Sequence, residues 1–235
     1  MKTSLLAFLL FLAATHAACG GPSQDNSNML AANDSKPISP ATPEQTLPKI
    51  VAFGDSLTAG FGLASPKLSY PTLLQQKLDA DGFKYEVVNA GVSGDTSAGG
   101  LRRIDWSLDA GGVRFVILEL GANDFLRGQP VAETKKNLAG IIERAKSRGA
   151  VVLLAGMYTT TRTGRDYDVQ IHSAYQSLAK EHDVTLIPFF LEGVAGMDAL
   201  NQDDRIHPNA EGTKIVADTV YRYLKPMLEK DKQKN

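Results

Sequence analysis

From Lys49 onward, short apolar runs alternate with longer segments in which apolar residues recur at helical spacing. Runs without a polar face are typical of strands that are buried on both sides, as in a parallel sheet covered by helices. With right-handed crossovers, this pattern predicts an α/β domain, a three-layer α/β/α sandwich with a five-stranded parallel sheet. The runs are Ile50–Phe53, Tyr85–Asn89, Phe115–Leu120, Val151–Ala155 and Thr185–Phe189, and the helical segments are Tyr70–Leu78, Ser97–Leu108, Val131–Arg148, Val169–His182 and Ala210–Leu228.

Length and charge narrow the class of protein further. The chain has 235 residues, enough for one domain with a full core and a tail. Its formal net charge of −1 argues against a nucleic-acid-binding protein, which needs a basic face. The composition indicates no oligomeric state.

The first 18 residues have the features of a secretory signal peptide. Lys2 precedes an apolar run, Leu5–Ala14, which is too short to span a bilayer. Cys19, the one cysteine of the chain, follows two small residues and has no partner for an internal disulfide. Its position resembles the lipidation site of bacterial lipoproteins, although His16 stands where that motif usually has Leu. We therefore expect export to the periplasm with membrane anchoring through a lipidated Cys19; cleavage after Ala17 is the alternative.

Residues 19–48 are rich in Ser, Asn, Asp, Pro and Ala and have few large apolar side chains. Such a segment cannot bury enough surface to offset the entropy lost on ordering. We interpret it as a flexible tether between the membrane and a domain that spans residues 49–230.

Polar residues follow the first three predicted strands at the points where each strand ends. Ligands of parallel α/β sheets bind outside the carboxyl ends of the strands, so these segments are expected to carry the chemistry. They are Gly54–Ser56, Ala90–Asp95 and Gly121–Asp124.

A serine hydroxyl needs an adjacent base and an acid that orients the base. Ser56 follows Gly54 at a strand end, where the alternative role is to cap the next segment; Ser93 is a second candidate with the same alternative. His207 precedes Pro208, which keeps it out of helical geometry, and Asp204 lies three residues earlier, within reach on a tight turn. An incidental histidine in a helix-capping loop is the alternative for His207. His172 and His182 fall within one predicted helix, where histidines are usually surface or capping residues.

Acyl transfer also needs donors aimed at the developing oxyanion. The main-chain N–H of Gly94 can approach a substrate closely, and Asn123 offers a side-chain amide from the neighbouring strand end. The Ser56 N–H is the third candidate donor. Taken singly, Gly94 and Asn123 are also typical turn residues.

Four segments in order resemble the sequence blocks of the SGNH (GDSL) hydrolases, over about residues 49–228. They are Phe53–Thr58, Asn89–Thr96, Gly121–Asp124 and Asp204–Pro208. Within that family, Ile187–Glu192 and Ser93–Thr96 are similar to bacterial arylesterases and acyl-CoA thioesterase–lysophospholipases. The segment Tyr158–Tyr167 departs from that group because it is more polar.

The resemblance implies a flavodoxin-like fold and a serine ester hydrolase that uses no metal and no organic cofactor. It assigns catalysis to Ser56, His207 and Asp204, and an oxyanion hole to Ser56, Gly94 and Asn123. The expected substrates are aryl or short-to-medium acyl esters, lysophospholipids or thioesters, held by loops at Phe61–Ser69, Met157–Asp168 and Leu191–Leu200. The alternatives are a carbohydrate O-acetyl esterase and a non-catalytic envelope lipoprotein with the same fold.

Overall fold

All five predicted apolar runs form strands of one parallel sheet. The computed structural model describes residues 46–109, 111–158 and 165–233. The strands are β1 (Lys49–Gly54), β2 (Glu86–Gly91), β3 (Val113–Glu119), β4 (Val151–Ala155) and β5 (Thr185–Ile187). Their order in the sheet is β2-β1-β3-β4-β5, the doubly wound order of flavodoxin. The predicted five-stranded parallel sheet is confirmed.

The predicted leader, residues 1–18, lies outside the described residues, as do Cys19 and residues 20–45 of the predicted tether. So do Thr159–Thr163 of the polar loop that follows β4. Within the ranges that are described, no helix is both long enough and apolar enough to cross a membrane.

Helices cover both faces of the sheet, as the three-layer prediction requires. On one face α2 packs against α7, and on the other α3, α5 and α6 pack side by side. Two short helices, α1 and α4, lie at the carboxyl edge of the sheet. The helices are α1 (Ser56–Ala59), α2 (Tyr70–Ala80), α3 (Ser97–Leu108), α4 (Ala122–Leu126), α5 (Val131–Ser147), α6 (Arg165–His182) and α7 (Ala210–Lys232), with single 3₁₀ turns at Pro66–Leu68 and Asp198–Leu200.

Several predicted boundaries are wrong, among them one end each of β5, α6 and α7. Strand β5 ends at Ile187 rather than Phe189, because Pro188 has no N–H for a sheet hydrogen bond. Helix α6 begins at Arg165, before the first apolar residue of the periodic pattern. Helix α7 continues past Leu228 to Lys232, where buried Asp231 accepts hydrogen bonds from Tyr85 (2.7 Å) and Arg114 (2.8 Å).

Strand β1 lies inside the sheet, hydrogen-bonded to β2 on one side and β3 on the other. Its residues Ile50–Phe53 are all buried, which is why the run has no polar face. The carboxyl ends of these three strands lie side by side, so the polar segments that follow them meet at one edge.

Candidate active site

Ser56 and His207 are 151 residues apart in the chain but in hydrogen-bond contact. The Ser56 Oγ lies 2.8 Å from the His207 Nε2. On the other side of the ring, the Nδ1 of His207 lies 2.6 Å from the Oδ2 of Asp204. This order of hydroxyl, imidazole and carboxylate is the arrangement by which a serine is made nucleophilic.

Residues Asp55–Thr58, here called the Ser56 turn, comprise the residue that follows β1 and the first three residues of α1. Asp55 is the N-cap of α1, and its Oδ1 accepts the N–H of Leu57 at 3.0 Å. Ser56 is the first helical residue, so no carbonyl one turn earlier takes its N–H. Its hydroxyl and its N–H are therefore presented together at the helix N-terminus, where an anion is favoured.

The loop before α7 carries Asp204 and His207. The Oδ1 of Asp204 accepts the main-chain N–H groups of Ile206 (2.9 Å) and His207 (3.0 Å), which leaves Oδ2 for the imidazole. Partial burial raises the pKa of Asp204, but the hydrogen bonds from His207 and Ile206 outweigh it and lower the pKa to about 2. Asp204 is thus an anion that orients the ring.

Gln202 joins this loop to the segment after α1. Its main-chain N–H donates to the carbonyl of His207 (2.8 Å), and its side-chain amide donates to the carbonyl of Phe61 (2.8 Å). The Phe61 ring packs against the His207 ring, with 4.8 Å between centroids. His207 is therefore held from the side of Ser56 as well as from its own loop.

Gly94 and Asn123 line the same cleft as Ser56. Gly94 has a φ of +79°, and its carbonyl accepts a hydrogen bond from Arg127 at 2.9 Å. A Cβ at Gly94 would meet no atom closer than 3.9 Å, so the positive φ, and not lack of space, requires glycine. Asn123 lies in the first turn of α4, and its Nδ2 donates to the Oδ2 of Asp55 at 2.9 Å.

The cleft beside these groups has a volume of about 260 Å³. Apolar side chains form most of its walls, and they come from α1, α4, the segments after β4 and β5, and the His207 loop. The predicted loops contribute Phe61, Met157, Tyr158, Leu191 and Ala195, and sequence reasoning missed Leu57, Phe125, Leu126, Phe189 and Ile206.

Two buried carboxyl groups, Asp55 and Glu119, lie directly behind Ser56. The Oε2 of Glu119 accepts the main-chain N–H of Asp55 at 3.2 Å. Burial raises the pKa of Asp55 to about 6, against the lowering effect of its hydrogen bonds and of His207. Burial and the nearby Asp55 charge raise the pKa of Glu119 well above its usual range.

Sequence reasoning missed Asp55, Glu119, Arg127 and Gln202 as residues that support the site. Asp55 had a signal, because an aspartate just before a helix is a common N-cap. Glu119 had one too, as the single acidic residue in the otherwise apolar end of β3. Arg127 and Gln202 act through contacts between distant loops, for which the sequence carried no signal.

The rival candidates lie differently. Ser93 lines the cleft, but His207 contacts Ser56 instead. His172 stacks on Tyr158 and bonds to Gln176 (2.8 Å), and the carbonyl of His182 at the end of α6 accepts a hydrogen bond from Lys146.

Within the described ranges, no group of three or more His, Cys, Asp or Glu residues could hold a metal ion.

Comparisons with known proteins identify the family of this chain. A profile of the GDSL-like lipase/acylhydrolase family matches residues 52–215. Esterase TesA of Pseudomonas aeruginosa is 39% identical over 179 residues, covering 76% of this chain and 89% of the relative. The thioesterase 1/protease 1/lysophospholipase L1 of Escherichia coli K12 is 38% identical over 182 residues, covering 77% and 86%.

Among solved structures, the psychrotrophic esterase EstA from Pseudoalteromonas sp., inhibited by monoethylphosphonate, superposes with a TM-score of 0.73. It is 33% identical, and the match covers 77% of this chain and 99% of that one. The likeness therefore extends over the whole described domain.

Proposed function

Because the chain belongs to the GDSL-like lipase/acylhydrolase family and is a carboxylic ester hydrolase, we propose that Ser56, His207 and Asp204 are its catalytic triad. One observation carries this proposal: the Ser56 Oγ lies 2.8 Å from the His207 Nε2, at the end of an apolar cleft. Asp204 supports it from the opposite side of the imidazole, 2.6 Å away.

In the acylation step, the Ser56 Oγ attacks the carbonyl carbon of the ester while its proton passes to the His207 Nε2. The carbonyl π electrons move to the oxygen, which becomes an oxyanion. We assign three donors to this oxyanion: the N–H groups of Ser56 and Gly94 and the side-chain amide of Asn123. Asp204 stabilises the positive charge that forms on the imidazole.

Collapse of the intermediate breaks the bond to the leaving oxygen or sulfur. His207 returns its proton to the leaving alcohol or thiol, which departs and leaves the acyl group on Ser56. Water then enters, gives a proton to His207 and attacks the acyl carbon. The same donors hold the second oxyanion, and His207 finally reprotonates the Ser56 oxygen as the acid is released.

Replacement of Ser56 tests the assignment, with Ser93 as a matched control in the same cleft. We expect Ser56→Ala to lower kcat at least about 10⁴-fold and to abolish covalent labelling by a fluorophosphonate. Ser93→Ala should keep the labelling and most of the activity. Full esterase activity in folded Ser56→Ala, or loss of labelling only in Ser93→Ala, would contradict the proposal.

The apolar walls of the cleft favour esters with an apolar acyl or aryl group of short to medium length. Lysophospholipids and thioesters extend this class, in keeping with the name of the Escherichia coli relative. The carbohydrate O-acetyl esterase alternative is not favoured, because recognition of a sugar needs several polar groups in the binding site. We place the ester carbonyl between Ser56, Gly94 and Asn123, with the apolar group against Phe125, Tyr158 and Phe189.

Export and anchoring form a separate proposal that depends on the sequence alone. The leader, Cys19 and the tether suggest an enzyme held at a periplasmic membrane surface by a lipidated N-terminus. One lipid chain gives only marginal membrane binding, so stable anchoring needs more than one acyl chain on Cys19.

A further inference from the structure

Glu119 is a fully buried acidic residue at the end of β3, directly behind the Ser56 turn. Its Oε2 accepts hydrogen bonds from the main-chain N–H of Asp55 (3.2 Å) and the hydroxyl of Thr58 (2.7 Å), and the main-chain N–H of Thr58 also donates to the carboxyl group. These donors are the first and last residues of the turn. Glu119 therefore holds both ends of the segment that carries Ser56.

Among the described residues, no cation pairs with Glu119. The nearby guanidinium of Arg103 donates to the carbonyls of Gly54 and Ala90 (both 2.8 Å) and forms an ion pair with Asp95. A buried carboxylate without a cation is strongly disfavoured. The surroundings of Glu119 thus favour its uncharged form.

Of the titratable groups that face Glu119, Asp55 disfavours a negative charge on it, because its own charge raises the pKa of Glu119. Tyr70 of α2, which contacts Thr58, and Tyr175 of α6 also face Glu119, and both are uncharged phenols. Two adjacent buried carboxyl groups do not both ionise readily. Asp55 carries the charge more readily than Glu119 because it lies near His207 in addition to accepting hydrogen bonds from Leu57 and Asn123.

The hydrogen-bond pattern matches a neutral acid as well. With the proton on Oε1, Oε2 remains a carbonyl oxygen that can accept the hydrogen bonds from Asp55 and Thr58. Oε1 itself has no hydrogen-bond partner in the described part of the chain. An unpartnered hydroxyl is less costly to bury than an unpartnered carboxylate oxygen.

The carboxyl group of Glu119 is packed against the backbone of the turn. A Cβ at Gly54 would lie 2.4 Å from the Glu119 Oε2 and 2.1 Å from the Thr58 Oγ1. Gly54 is thus a glycine because Glu119 and Thr58 fill the space of its side chain. Loss of the carboxyl group would leave a gap next to Gly54 and Asp55, the two residues that precede Ser56.

We propose that Glu119 is a positioning residue for Ser56, which binds both ends of the Ser56 turn as an uncharged acid and leaves the negative charge to Asp55. Glu119 touches neither the substrate nor the reacting atoms. It acts by keeping the Ser56 hydroxyl in line with His207, and it keeps Asp55 free to bind Asn123. This inference rests on the proposed role of Ser56.

The test compares Glu119→Gln with Glu119→Leu in the full-length protein, with nitrophenyl butyrate as substrate. Glutamine has a carbonyl oxygen for both donors and no charge, so we expect kcat within about threefold of the natural protein and an unchanged pH profile. Leucine removes both acceptors. We expect it to lower kcat and the rate of fluorophosphonate labelling by about 10²-fold, with KM changed less than about twofold.

Two outcomes would overturn the inference. A folded Glu119→Leu protein that labels at the natural rate would show that Glu119 does not position Ser56. A Glu119→Gln protein as inactive as the Leu variant would show that the charge is needed. Ser56→Ala, measured in parallel, separates a failure of this inference from a failure of the proposed nucleophile.

Variants of Thr58 test the same inference if Glu119→Leu does not fold. Thr58→Val removes the hydroxyl that donates to Glu119 and keeps the shape of the side chain, and Thr58→Ser restores the hydroxyl. We expect Val to lower kcat about tenfold at constant KM and Ser to recover most of it. Equal kcat for the Val and Ser variants would contradict the proposal.

Discussion

The side-chain amide of Asn123 donates one of its hydrogens to the carboxylate of Asp55, over 2.9 Å. An amide NH₂ group has two hydrogens, so one remains for a substrate in the cleft. The residue that caps the helix of Ser56 therefore also fixes the orientation of a donor on a neighbouring strand end. The helix that begins at Ser56 and the side chain of Asn123 are thus coupled through one carboxyl group.

Replacement of Asn123 tests its assignment to the oxyanion hole. We expect Asn123→Ala to lower kcat by about 10²- to 10³-fold with little change in KM, because the lost donor acts on charge that develops only in the transition state. Asn137→Ala, which alters an asparagine on α5 bonded to Ser97, is the control. Equal kcat values in the two variants would remove Asn123 from the mechanism.

The buried carboxyl of Asp55 gives a pH-dependent stability with a definite sign. Its pKa is raised to about 6 in the folded protein and is about 4 in an unfolded chain. Between these values the folded state binds more protons, so Asp55 makes the free energy of unfolding decrease as the pH rises. We expect the melting temperature of Asp55→Asn, relative to the natural protein, to increase between about pH 4 and pH 6 and then to level off.

Thermal unfolding at several pH values measures this difference. The exposed Asp79 on α2 supplies the control variant, Asp79→Asn. A melting-temperature difference for Asp55→Asn that does not change with pH would mean that Asp55 does not titrate in this range.

The length of the acyl chain reports on the cleft. Each methylene that the apolar walls bury contributes about 0.8 kcal/mol, or about a fourfold gain in kcat/KM, until the cleft is full. We expect a series of nitrophenyl esters to show this rise from acetyl to medium chains. Tyr158, whose ring packs edge-on against Phe189 at 4.8 Å, closes part of the wall.

Tyr158→Ala should therefore move the optimum to longer chains. The exposed Trp106 on α3 provides the control variant, Trp106→Ala, for which we expect an unchanged profile. Activity confined to acetylated sugars would refute the proposed substrate class.

Anchoring through Cys19 predicts where the enzyme is found. We expect the natural protein in the membrane fraction of the cell envelope and Cys19→Ser in the soluble periplasmic fraction or the uncleaved precursor, with the catalytic rate of the purified domain unchanged. Mass spectrometry of the mature N-terminus identifies the lipid. An unmodified N-terminus at Ala18 would establish ordinary cleavage after Ala17 instead.

The sheet was predictable, and so was the placement of Ser56, Gly94 and Asn123 at one of its edges, because the signals are local. Apolar runs mark the five strands, and these three residues come shortly after strands β1, β2 and β3. Helix α3 has the predicted bounds, Ser97–Leu108, because Thr96 caps it by accepting the N–H of Gly99. The start of this helix is therefore determined by a residue next to it in the sequence and not by tertiary contacts.

The supporting residues were not predictable, because their roles depend on neighbours distant in sequence. From the sequence, Glu119 is only the polar last residue of a strand; its role follows from its contacts with Asp55 and Thr58. Gln202 is only a loop residue in the sequence; its role follows from its hydrogen bond to Phe61, which is distant in the chain. Periodicity and turn chemistry describe a residue's own segment and do not report which other segment packs on it.

The residues of the site are held in place by two kinds of structure, the parallel sheet and a loop outside it. Ser56, Gly94 and Asn123 follow adjacent strands, so their spacing is maintained by the hydrogen bonds of β1 with β2 and β3. His207 belongs to a loop outside the sheet, joined to Phe61 by the side-chain amide of Gln202 and by the contact of the two rings. Amide hydrogen exchange should therefore be slow at the strand ends and fast in the His207 loop. Mild denaturant would then displace His207 while Ser56, Gly94 and Asn123 keep their positions. Activity would therefore be lost at a lower denaturant concentration than the one that unfolds the domain.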